Sequence, residues 1–181
     1  TANSNNPQGV DEFTYTVEDN DGERETAELT IDVAPIDDKP DLDKGFKVVD
    51  ETDLSGGNIV VGGNLNPDYG TDGPGTVTPA SFDSSGSRLN DALTSGGEPV
   101  TVNIVGDTFE GRTPNGDLIF TLEVNTDGTY EFTLIGTLDH ADPNDPNDII
   151  NLEFTVNASD SDDDVTPTTI TVAVKDDVPV V

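Results

Sequence analysis

Two acidic loops carry the residues best suited to chemistry. The first is Glu18-Asp19-Asn20-Asp21-Gly22 and the second is Asp160-Ser161-Asp162-Asp163-Asp164. Asp at i and i+2 of a tight loop aims two carboxylates at one point, as the early positions of a calcium loop do. Each loop is followed by an alternating apolar run and then by Asp-Asp-x-Pro, at Asp37-Asp38 with Pro40 and at Asp176-Asp177 with Pro179. A lone Asp-x-Asp is equally a good turn, because Asx side chains cap their own backbone. Two copies in register, each with the same acidic sequel, favour calcium.

The candidate ligands are Asp19, Asp21, Asp37, Asp38, Asp160, Asp162, Asp164, Asp176 and Asp177, joined by Asp50, Glu51 and Asp53. A loop at a hairpin tip and a pair after its second strand lie at opposite ends, so they serve different ions. The first linker pair is then placed to meet Asp50, Glu51 and Asp53, which open the next stretch. Asp68 and Asp72, in NPDYGTDGPG, read as ligands or as turn formers. His140 sits in a third acidic loop, DHADPNDPND. With no Cys and no second His, a zinc reading has little support there, and His140 is read as a loop residue.

Composition narrows the function classes. There are 38 Asp and Glu against 7 Lys and Arg, a formal net charge of −31. Nucleic-acid binding needs the opposite sign, and an anionic membrane surface repels such a chain. Self-repulsion of this size opposes a compact state unless cations are bound. The absence of Cys removes disulfides and thiolate metal sites, and the remaining oxygen-rich ligands suit a hard cation such as Ca²⁺. One His, no G-x-S-x-G and no H-E-x-x-H leave catalysis without machinery, so no enzyme is expected. No run of 18 apolar residues is present, so no membrane insertion is expected.

The elements that position the acids are strands. Phe13, Tyr15 and Val17 alternate with Thr, as do Leu29, Ile31 and Val33 with Thr30 and Asp32. The same period of two runs through residues 100–104, 118–124, 130–134, 150–156 and 170–174, and it puts one face on a core. Asp127-Gly128 and Asn115-Gly116 are hairpin turns. No stretch reads as more than one or two helical turns, the best being 87–93. Many short strands with Gly, Pro and Asp turns predict an all-β, immunoglobulin-like or cadherin-like antiparallel sandwich. Residues 55–97, rich in Gly, Ser, Asn and Pro, are expected to hold short strands joined by long loops.

An internal repeat sets the domains. Phe13, Asp19, Asp21, Leu29, Ile31 and Val33 fall on Phe154, Asp160, Asp162, Ile170, Val172 and Val174 at one offset of 141 residues. Residues 1–40 therefore read as the closing hairpin and linker of a preceding or divided module. A two-stranded remnant is marginal alone, so it is expected to dock on residues 41–181, the sandwich repeat.

Four stretches, DYGTDGPGTVT, LTSGGEPVTVNIVGD, GDLIFTLEVNTDGTYEFTLIGTLDH and NLEFTVNASDSDDD, resemble the long repeat of type I-secreted RTX adhesins. The opening FTYTVEDNDG and TIDVAPIDDKP resemble the end of a cadherin-like or bacterial Ig-like repeat of the same proteins. That resemblance implies secretion to the bacterial surface and a calcium-stabilised module that spaces or holds ligand-binding domains. Its partners would be neighbouring domains of the same chain, with a host ligand held by adjacent domains, and the module itself is expected to be monomeric. A second expectation is a carbohydrate- or peptide-binding domain using the 55–97 region, against which the lack of Trp counts.

Overall fold

Threonine alternating with aromatic and branched side chains suits a pleated surface with one buried face, and strands form where that pattern runs. The structure is a computed structural model describing residues 9–33, 38–71, 73–85, 92–142 and 145–177. Two strands, β1 (Gly9–Glu18) and β2 (Arg24–Val33), make a separate hairpin. After the linker come β3 (Gly45–Asp50), a 3-10 helix (Glu51–Gly56), β4 (Ile59–Asn64) and β5 (Thr76–Ser85). The small pair β6 (Thr94–Ser95) and β7 (Glu98–Pro99) precedes β8 (Thr101–Val105), β9 (Thr108–Arg112), β10 (Leu118–Val124) and β11 (Thr129–Leu134). The last two are β12 (Ile149–Ser159) and β13 (Val165–Lys175).

Two sheets result, in the orders β4-β11-β10-β9-β8 and β3-β13-β12-β5. Their inner faces meet through aromatic rings. Phe154 of β12 lies 5.2 Å from Phe109, 6.0 Å from Phe120 and 6.1 Å from Phe132, which come from three strands of the opposite sheet. All four are fully buried, and each contributes about 1.5–3 kcal/mol of hydrophobic stabilisation. The architecture is an all-β sandwich. Pairing is antiparallel except between β3 and β13, which run parallel from Gly45 beside Ile170 to Asp50 beside Lys175. Among the described residues no helix is long and apolar enough to cross a membrane.

One expectation changes. Residues 55–97 contribute the edge strands β4 and β5 to the two sheets, and β5 is ten residues long, so much of that stretch is sheet rather than loop. The 87–93 helical candidate lies largely outside the described residues. Strand β3 has no counterpart in the sequence pattern, because its apolar Phe46 and Val48 point outward while Gly45 and Val49 point in.

The repeat is visible in the backbone. Phe13 pairs with Leu29 and Glu18 with Arg24 in the first hairpin; Phe154 pairs with Ile170 and Ser159 with Val165 in the last. The register is the same at the 141-residue offset. Burial is not. Phe154, Ile170 and Val172 are sealed in the core, whereas Phe13, at 53 % exposed, and Leu29 and Ile31 face solvent. The linker residues 38–40 lie against the sandwich. There the Asp38 carboxylate accepts hydrogen bonds from Thr71 N and Oγ1, and Pro40 is buried.

Candidate metal centres

The turn between β12 and β13 builds the first centre. Asp164 N donates to Asp160 Oδ1 at 2.9 Å, and Asp160 N donates to Asp164 O at 3.3 Å, closing a five-residue loop. Asp163 takes a φ of +75°, left-handed backbone that Asp tolerates better than most residues. Asp160 is only 7 % exposed. Ligand oxygens of Asp160, Asp162 and Asp164 lie within 4.8 Å of one another. Oδ2 of Asp160 and Oδ2 of Asp164 are buried and accept no hydrogen bond. A buried carboxylate oxygen without a donor is costly, and three neighbouring anions add repulsion. Among the described residues, Lys39 Nζ pairs with Asp164 Oδ1 at 3.9 Å, but this lysine is largely exposed and the pair is weak. A cation ligated by oxygen would satisfy both orphaned atoms and cancel the repulsion. The residues fit such an ion.

The first hairpin repeats the turn without the centre. Asp19 Oδ1 accepts from Asp21 N and Glu23 N, Asp19 N donates to Glu23 O at 3.0 Å, and Gly22 has a φ of +89° where Asp163 stands in the second copy. Hydrogen bonding with Asp21 and then with Glu23 N holds the Asp19 carboxyl below its ordinary value. Both Asp19 and Asp21 are exposed. Among the described residues, no third carboxylate joins them.

The opposite end of the sandwich holds the second group. Glu51, the first residue of the 3-10 helix, is 3 % exposed, and its Oε1 accepts from Leu138 N at 2.8 Å. His140 is 2 % exposed, with Nε2 3.7 Å from the same Oε1. Asp176, directly after β13, completes a group whose ligand atoms lie within 4.8 Å of one another. Burial opposes charging of the imidazole, but Glu51, Asp176 and Asp148 around it outweigh that and raise its pKa above the ordinary value.

His140 is therefore a buried member of an acidic group rather than a plain loop residue. Asp50 instead caps the 3-10 helix through Thr52 N and pairs with Lys175 Nζ at 2.9 Å, which holds its carboxyl low. Asp53 and Asp177 are exposed, and Asp177 N donates to Asp176 Oδ1.

Of the first linker pair, Asp38 does not meet Asp50, Glu51 and Asp53 as expected. Asp38 binds Thr71 at the Asp160 end, because β3 carries the chain to the far end before Asp50 is reached; Asp37 lies outside the described residues. It is the second linker acid, Asp176, that meets Glu51. The 11 residues of β13 hold the two groups roughly 35 Å apart. Asp68 forms a turn, its Oδ1 accepting from Gly70 N, and Asp72 lies outside the described residues.

The sequence profile of a family described as "Domain of unknown function (DUF5801)" matches residues 47–173, more than two thirds of the chain. No curated protein sequence matches it. A solved structure similar to it is "Protocadherin Gamma B2 extracellular cadherin domains 1-5", 14 % identical, covering 93 % of this chain and 25 % of that one, with a TM-score of 0.26. The chain spans a quarter of that structure's length. At this level the sandwich rests on the sheets themselves, not on the likeness.

Proposed function

Given that the chain belongs to the DUF5801 family, we propose that it is a non-enzymatic calcium-binding module of a large bacterial surface adhesin. In this reading it is exported by a type I system and spaces or holds ligand-binding domains that serve adhesion and biofilm formation. The observation that carries it is the Asp160–Asp162–Asp164 group, with one carboxylate buried and two orphaned oxygens. The resemblance to RTX adhesin repeats and the net charge of −31 support the same reading.

Calcium takes six to eight oxygens. Asp160, Asp162 and Asp164 would hold the ion, with backbone carbonyls and water completing the shell. Lys39 reaches Asp164, and Asp38 is tied to Thr71. The ion would therefore sit beside the segment through which the chain enters the sandwich, where fixing the loop also stiffens the joint.

The test is thermal unfolding in calcium and in excess chelator at equal ionic strength. Calcium is expected to raise the melting temperature by several degrees; coincident curves would overturn the proposal.

A further inference from the structure

We propose that Glu51, His140 and Asp176 form a second metal site, for a zinc-class ion rather than calcium, at the end of the sandwich away from the Asp160 loop. The ligand chemistry separates the two. Calcium takes oxygens alone, whereas one imidazole nitrogen with two carboxylates suits zinc and its neighbours in the first transition row. Three protein ligands with a further position left for water is a familiar zinc arrangement.

The spacing agrees. With metal–ligand bonds of about 2.0–2.2 Å, adjacent corners of a tetrahedron lie about 3.4 Å apart. The Glu51 Oε1 to His140 Nε2 separation is 3.7 Å, close to that edge and longer than a charge-assisted hydrogen bond of about 2.7–2.9 Å. Glu51 is already oriented, since Leu138 N donates to the same Oε1, and Asp177 N does likewise for Asp176 Oδ1. Such outer contacts fix ligating carboxylates in place.

Charge points the same way. Lys175 lies against Asp50 at 2.9 Å, and among the described residues no Lys or Arg pairs with Glu51, Asp148 or Asp176. A protonated imidazole leaves the Glu51–His140–Asp176 group at −1. A divalent ion with a neutral imidazole brings it to zero. Buried charge is tolerated when it is matched.

His140 is the single histidine of the chain, so its imidazole C–H signals are unambiguous in a proton NMR spectrum. Zinc chloride is added to the calcium-saturated full chain at neutral pH, and cobalt(II) absorption is read in parallel. One equivalent of zinc is expected to move the imidazole signals fully, and calcium alone to leave them in place. Asp176→Asn, at a partly exposed position, and His140→Gln are expected to weaken this binding by at least about tenfold. The site is overturned if zinc occupies only many weak sites while the imidazole signals stay fixed, if calcium moves them equally, or if a folded D176N binds zinc as tightly as the parent. This test does not depend on the calcium reading and can succeed or fail without it.

Discussion

Asp160→Asn separates a ligand from a turn former, because the two roles predict opposite responses to calcium. Asn keeps the oxygen that accepts from Asp164 N, so the turn survives. It removes one charge from three carboxylates within 4.8 Å of one another. At an effective dielectric near 20, two such charges 4.8 Å apart repel by about 3.5 kcal/mol. Asp160 faces two neighbours, but Asp162 is exposed, and solvent and salt reduce the net relief to on the order of 1–2 kcal/mol.

In chelator the variant should therefore melt a few degrees above the parent. In calcium the order reverses. Calcium at 100 times its Kd stabilises the parent by about 2.7 kcal/mol. At about 2–4 °C per kcal/mol for a chain of this size, that is roughly 5–10 °C, most of which D160N should lose. Differential scanning calorimetry of both proteins in both conditions gives the four melting temperatures. Equal destabilisation of D160N with and without calcium would refute the reasoning, since it would leave Asp160 with a role in the turn alone.

Deleting residues 1–33 should move the melting temperature of the remainder by no more than about 1 °C, within the scatter of surface changes, because the described hairpin side chains are solvent-exposed. A larger drop by circular dichroism would show that the hairpin supports the sandwich. Hydrogen bonds from Thr129 Oγ1 and N hold the Asp127 carboxyl below its ordinary 3.8. A folded pKa below the unfolded one means this contribution is complete above pH 3.8 and is lost as pH falls through the lower folded value. Asp127→Asn should accordingly lower stability slightly in the neutral region, where that contribution is complete, and flatten the acid side of the profile, read from melts between about pH 2 and 7.

Alternation made the inner strands legible, since Ile150, Leu152, Phe154 and Val156 all point into the core. Asp127-Gly128 was legible as a turn for a backbone reason, as Gly128 has a φ of +84°. Strand β3 was not legible. Gly45 stands where a β-carbon would lie 2.9 Å from the Tyr130 hydroxyl and 3.0 Å from Ile170, so the core-facing position carries no apolar side chain to read.

The same contrast divides the two metal centres. Asp160, Asp162 and Asp164 are neighbours in sequence, and their spacing alone brings them together. Glu51, His140 and Asp176 come from three distant segments. Glu51 and Asp176 meet because Asp50 pairs with Lys175 across the parallel β3–β13 ladder, a pairing that no local pattern encodes. The lone histidine gave no sign of its burial.

In the proposed spacer role, that ladder would also decide how the module bears tension. The chain enters at the start of β3 and leaves after the end of β13, at opposite ends of two strands running side by side in the same direction. A pull along the chain draws β3 one way and β13 the other, sliding them past each other. The six paired positions from Gly45–Ile170 to Asp50–Lys175 are loaded together, not opened one after another as in a peeled hairpin. Resistance to extension would then fall on one strand pair, and the Glu51–His140–Asp176 group lies at the end of that pair where β13 finishes.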